Sequence, residues 1–155
     1  MATLCAEVVG KFDHQSDADR LLYAPLASPC TYLRTRIYRL EYDGAAEDAE
    51  AFVQRVLVDP YSEHLHFGDE PALDGFAFYL EYGMKPGALD LEKEAILTSY
   101  RGARHKKIEI ATLELSQRIY LFSGGDVSPE RFVRDVCNPA IHTWSVTHAD
   151  SRHVA

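Results

Sequence analysis

At 155 residues the chain is long enough to bury the core of one domain, or of two small, closely packed ones. Its 46% hydrophobic and 26% charged composition excludes disordered and fibrous classes. A formal net charge of -8 repels phosphate backbones on average and argues against nucleic acid as the main partner. No apolar run reaches the roughly 18 residues of a membrane span.

Residues 1–5 carry neither a basic start nor a long apolar stretch, so the expectation is a cytoplasmic protein without a signal peptide. Cys5, Cys30 and Cys137 form no CxxC pair and read as reduced, mostly buried thiols. The apolar run at 5–9 reads as a first strand and 16–22 as a short helix. Pro25 and Pro29 mark 23–31 as loop.

Next comes Arg36-Ile37-Tyr38-Arg39-Leu40, which returns later as Arg118-Ile119-Tyr120-Leu121-Phe122. An acidic, glycine-containing turn follows each run, Asp43-Gly44 and then Gly124-Gly125-Asp126. Phe52-Val53 with Pro60 is likewise echoed by Phe132-Val133 with Pro139. Shared order over this length reads as two diverged copies of a strand–helix unit.

In the first copy Ala49, Phe52, Val53, Val56 and Leu57 fall at helical spacing, with Glu47 and Asp48 in the first turn. Proline ends that helix at Pro60, and 63–67 reads as a strand. The copies are joined by a linker at 68–74, which gives halves at 1–67 and 75–146 and a disordered tail at 147–155.

In the second half Phe76, Phe78, Leu80 and Tyr82 alternate with Ala77, Tyr79 and Glu81, the period of a half-buried strand. Lys85-Pro86-Gly87 is a turn. A helix over 90–100 is expected to place Leu91, Ala95 and Ile96 inward. The basic stretch Arg101, Arg104, His105, Lys106 and Lys107 then reads as a solvated turn. Two strands follow, one around Ile108 and Ile110 and one around Ile119 and Leu121. Ser128-Pro129 starts a helix, with cap and then first-turn proline, that buries Phe132, Val133, Val136 and Cys137. A last strand occupies 140–146. The second half therefore reads β-α-β-β-α-β, the order of a ferredoxin-like unit, and the first half is a worn version.

Chemistry-bearing groups do not converge. His64 and His66 share a strand face beside Glu63, but zinc needs three or four ligands, and His142, His148 and His153 are scattered. No metal site is expected. Cys137 could pair with His142, yet it occupies an apolar helix face, where a buried thiol is inert. Ser123-Gly124-Gly125 is too short for a phosphate loop, and no nucleotide-binding or hydrolase motif is present. No catalytic residue is assigned.

Residues 79–92, with Gly83, the Lys85-Pro86-Gly87 turn and Asp90 leading into a helix, resemble the opening of PurS-like domains. Residues 136–144, Val136-Cys137-Asn138-Pro139-Ala140-Ile141-His142-Thr143-Trp144, resemble their closing helix end and strand. The paired layout is similar to the N-terminal part of fused phosphoribosylformylglycinamidine synthase, where two PurS-like halves imitate a dimer. The resemblance implies an α+β fold of two ferredoxin-like units in tandem, the first degenerate.

It further implies a non-catalytic accessory subunit that bridges a synthetase and a glutaminase and supports ammonia transfer. ATP and magnesium would act in the synthetase, and no cofactor is expected in this chain. Lys85, Pro86, Gly87, Asp90 and Asn138 become candidate partner-binding or structural turn positions. A specialised-pathway paralogue and a ferredoxin-like module that binds a small metabolite are the alternatives, and self-association is a further expectation.

Overall fold

The computed structural model describes residues 1–123, 125 and 127–149. The second expected glycine turn therefore lies partly outside the described residues, as do His153 and the chain beyond 149. Among the described residues the protein is mixed α+β, built of antiparallel strands and three α-helices. In chain order these are β1 (Ala2–Gly10), β2 (Ser16–Asp17), a 3-10 turn (Ala18–Leu21), β3 (Cys30–Asp43), α1 (Ala46–Val56) and β4 (Glu63–Phe67). There follow β5 (Phe78–Met84), α2 (Leu91–Gly102), β6 (Glu109–Ser123), α3 (Pro129–Val136) and β7 (His142–His148). Among the described residues no helix is long and apolar enough to cross a membrane.

The chain forms two compact units, and each draws on both sequence halves. The first comprises Met1–Phe12, Arg36–Ala72 and Gly87–Leu115; the second comprises Asp13–Thr35, Leu73–Pro86 and the chain from Ser116 onward. Strands β3 and β6 are long enough to serve both. The connector between β1 and β3 belongs to the second unit, while α2, the connector between β5 and β6, belongs to the first.

In the first unit the strand order is β4-β1-β3-β6. Ala6 lies opposite Tyr38 and Leu4 opposite Leu40, so alternate residues of β1 and β3 share the face that α1 and α2 cover. Of the expected stripe, Ala49, Phe52 and Val53 of helix α1 and Leu57 at its end are buried, whereas Val56 is 38% exposed. Phe52 meets Tyr100 of α2 edge to face, ring centroids 6.0 Å apart. On α2 the inward side chains are Ile96, Leu97 and Tyr100, whereas Leu91 is 73% exposed and Ala95 is exposed. The expected inward set is thus only partly observed. The helix turns on Ile96 and Tyr100, four residues apart, which leaves Leu91 and Ala95 outside the stripe.

The second unit orders its strands β3-β6-β5-β7, with β2 pairing with β3. Leu80 lies opposite Ile119 and Phe78 opposite Leu121, and this face packs on Phe132 and Cys137 at α3. The other face carries Tyr79 opposite Tyr120, joined by Phe76 in a second apolar cluster. Both faces of this strand pair are therefore buried, which explains the near-continuous apolar run from Ile119 to Phe122.

Two further expectations are corrected. The strands expected around Ile110 and Ile119 are one strand, the 15-residue β6, so the second half runs β-α-β-α-β. Residues 16–22 form β2 and a 3-10 turn instead of an α-helix. Asp17 caps that turn by accepting the Asp19 N–H at 3.0 Å, and Asp19 accepts the Leu26 N–H at 2.9 Å. These carboxylates draw the backbone into a tight loop that ends a helix after one turn.

Candidate functional site

The turn after β5 and the loop after α3 meet at one end of the second unit. The Lys85 N–H donates to the Ile141 carbonyl at 2.7 Å, continuing the β5–β7 ladder one step past Met84 and His142. Ile141 and His142 in turn donate their N–H groups to the Asn138 carbonyl, at 3.0 and 2.8 Å. The Asn138 side-chain oxygen accepts the Ala140 N–H, and its own N–H donates to His142 Nδ1 at 2.9 Å. Asn138 thus ties off the end of α3 and starts β7. The His142 ring meets Tyr82 edge on, with centroids 5.2 Å apart. The two segments that carry the family resemblance converge here, with Lys85 and Asn138 linked through Ile141.

Gly87 and Asp90 fall in the first unit. Gly87 has φ +88, a conformation glycine adopts without a Cβ clash. Asp90 is the N-cap of α2, its carboxylate accepting the Lys93 N–H at 3.1 Å. Among the described residues the Lys85 side chain makes no hydrogen bond or ion pair, so its ammonium is presented to solvent.

Two arginine networks were not singled out from sequence. In the first unit Arg36 bonds both oxygens of Glu63, at 2.7 and 3.3 Å, the Tyr38 hydroxyl at 3.1 Å and the Leu57 carbonyl at 3.3 Å. Tyr38 passes its own proton toward Glu92 at 2.7 Å. Burial opposes the Arg36 charge, but the bonds to Glu63 and Tyr38 outweigh it and raise its pKa. Glu63 is held below the usual carboxylate range by its Arg36 hydrogen bonds. Burial, then the Glu92 bond, pushes the Tyr38 phenol up to about 12.

In the second unit Arg118 bonds Glu81 at 2.7 Å, with side chains only 4% and 13% exposed. Its guanidinium lies over the Tyr79 ring, 4.3 Å from the centroid, and donates to the Tyr120 hydroxyl at 3.2 Å. Ser116 donates to the other Glu81 oxygen at 2.8 Å. The available sequence signal was an arginine followed two places later by tyrosine on a strand, which puts both on one face within reach of a cross-strand glutamate.

The remaining candidates do not assemble into a reactive site. His64 is exposed and His66 half-buried on β4, paired in register with Val9 and Glu7. Among the described residues no three His, Cys, Asp or Glu side chains group as metal ligands would. Burial pushes the Cys137 thiol up to about 11 and raises Cys30 too, with Asp19 adding to the latter. No family model matches the chain, and comparisons with curated proteins and with solved structures likewise give no match.

Proposed function

We propose that the chain is a non-catalytic, PurS-like accessory subunit of a phosphoribosylformylglycinamidine synthase-type complex. It bridges a synthetase and a glutaminase and supports the passage of ammonia between them. On this reading the fold is a covalent pair of ferredoxin-like, PurS-type units in the cytoplasm, with ATP and magnesium acting in the synthetase.

The observation that carries the proposal is the junction at Lys85 and Asn138. Lys85 and Asn138 lie more than fifty residues apart in sequence, yet the segments that carry them form adjacent strands, β5 and β7, and share the Ile141 hydrogen bonds. Arg118 and Glu81, Arg36 and Glu63, and the thiols of Cys30 and Cys137 are committed to structure, which suits a docking role.

The test is co-expression with a synthetase that lacks its own N-terminal domain and with a glutaminase, followed by affinity purification through the chain. Retention of both partners is expected, and Lys85→Glu should reduce it. Failure to retain either partner rejects the proposal.

A further inference from the structure

We propose that the cleft between α1 and α2 in the first unit binds a small phosphate monoester of sugar-phosphate size. The cleft measures about 260 Å³. Its floor is apolar, built from Phe52 and Val56 of α1 with Tyr100 of α2. Its rim is cationic: Arg55 comes from the last turn of α1, and His105, Lys106 and Lys107 come from the segment ahead of β6.

Charge is the first argument. In a chain of net charge -8, three permanent cations face a single lining carboxylate, Asp48. The C-terminal ends of α1 and α2 each add partial negative charge, equivalent to roughly half an electron apiece, which the three cations outweigh. Elsewhere Arg36, Arg118 and Arg134 each pair with a carboxylate. Among the described residues, by contrast, the side chains of Arg55, His105 and Lys107 make no ion pair or hydrogen bond. Cations that converge without partners repel one another, and a dianionic phosphate relieves that repulsion.

Preorganisation is the second argument. The Tyr100 hydroxyl donates to the Ile108 carbonyl at 2.8 Å and accepts the Ile110 N–H at 3.1 Å, clamping the basic segment to α2. From the other side Gly44 approaches so closely that a Cβ there would stand 2.9 Å from Ile108 Cγ2 and 3.1 Å from the Lys107 carbonyl. Lys106 lies over the Tyr100 ring, 5.3 Å from its centroid. The backbone at Lys107 and Ile108 is therefore held by two independent contacts before any ligand arrives.

Shape separates the ligand classes. A confined cleft with an apolar floor suits the C–H face of a sugar under a phosphate held at the rim. A nucleic acid needs an extended basic track, and the acidic balance of the chain opposes one. This inference does not depend on the accessory-subunit reading, since the cleft lies within one unit and uses neither Lys85 nor Asn138.

Isothermal titration calorimetry on the full chain tests it, with ribose 5-phosphate as probe and inorganic phosphate, ribose and a single-stranded RNA oligonucleotide as comparisons. Ribose 5-phosphate should bind saturably at one site with a dissociation constant of about 1 mM or tighter. Inorganic phosphate should bind more weakly and ribose not measurably. Lys107→Ala and Arg55→Ala should each weaken binding about tenfold. Arg20→Ala, an exposed change in the second unit, should leave it unaltered. Lys107→Gln, which keeps the side chain's bulk, should match Lys107→Ala, and circular dichroism confirms that every variant folds. Absence of saturation overturns the proposal, as does equal binding of inorganic phosphate, tighter binding of RNA, or full affinity in both Lys107 variants.

Discussion

Tyr38 and Tyr120 end matching Arg-Ile-Tyr triplets, yet they face opposite ways within their own units. Tyr38 packs on the face of β3 that carries α1 and α2. Tyr120 packs with Phe76 and Tyr79, on the face of β6 turned away from α3. The strand pairings state the same offset: Ala6 opposes Tyr38, whereas Leu80, the helix-facing counterpart on β5, opposes Ile119. The two triplets are thus one residue out of phase, and a shift of one residue reverses every side chain on a strand. Each tyrosine still accepts a hydrogen bond from the arginine two places before it, so the local bond outlasted the change of face.

The change of face gives the two networks different energetic weight. Glu81→Gln strands a buried guanidinium and should cost about 3 kcal/mol or more. Glu63→Gln leaves an arginine whose side chain is 38% exposed and should cost about 1 kcal/mol. Urea melts of the two variants check the order. Replacing Arg118 and Glu81 together by Met and Leu should cost less than Glu81→Gln alone.

The Arg36 network also sets opposite pH limbs. The Glu63 carboxyl is depressed below its ordinary 4.5 in the folded chain. Its contribution is complete above that value and is lost as pH falls through the lower folded value. Tyr38 runs the other way, raised from 10.0 to about 12. Its contribution is complete below pH 10.0 and is lost as pH rises toward 12. Glu63→Gln should flatten the acid limb of stability against pH, and Tyr38→Phe the alkaline limb, each leaving the other limb in place.

Gly44 should be the least replaceable of the glycines at positive φ. Its φ of +136 strains any L side chain, and an added Cβ would collide with Ile108. Gly87, at φ +88, has open space around its Cβ position. Thermal melts should show Gly87→Ala losing about 1 kcal/mol and Gly44→Ala at least twice that.

Thiol chemistry offers a simpler check. Cys30 and Cys137 are buried, and the Cys137 thiol is pushed up to about 11. Cys5 is half-buried and lines an open cleft of about 380 Å³. Iodoacetamide at neutral pH should modify native protein at Cys5 first, and all three positions after denaturation.

The sequence made some of this legible for identifiable reasons. The stripe of Ala49, Phe52 and Val53 and the Ser128-Pro129 start are local patterns, and the structure follows each. The half-buried alternation expected from Phe76 to Tyr82 is not observed, because Phe78, Tyr79 and Leu80 are all buried and Phe76 packs with Tyr79. What escaped depended on partners distant in the chain. Strand β6 packs both Ile110 and Leu113 into the same core, a spacing of three that breaks the period of two and makes one strand look like two. The inward face of α2 differs from the expected one because that helix packs in the unit built from β1 and β3, whose patterns lie far upstream in the chain. The turn at Lys85 and the cap at Asp90 were legible as punctuation, but the link from Lys85 to Asn138 became visible only once β5 and β7 paired.

The role proposed for the chain is to serve an amidation complex without supplying its chemistry. The direct measurement compares glutamine-dependent and ammonia-dependent amidation by a synthetase and glutaminase, with and without the chain. The chain should raise the glutamine-dependent rate and leave the ammonia-dependent rate nearly unchanged. A glutamine-dependent rate indifferent to the chain would contradict it.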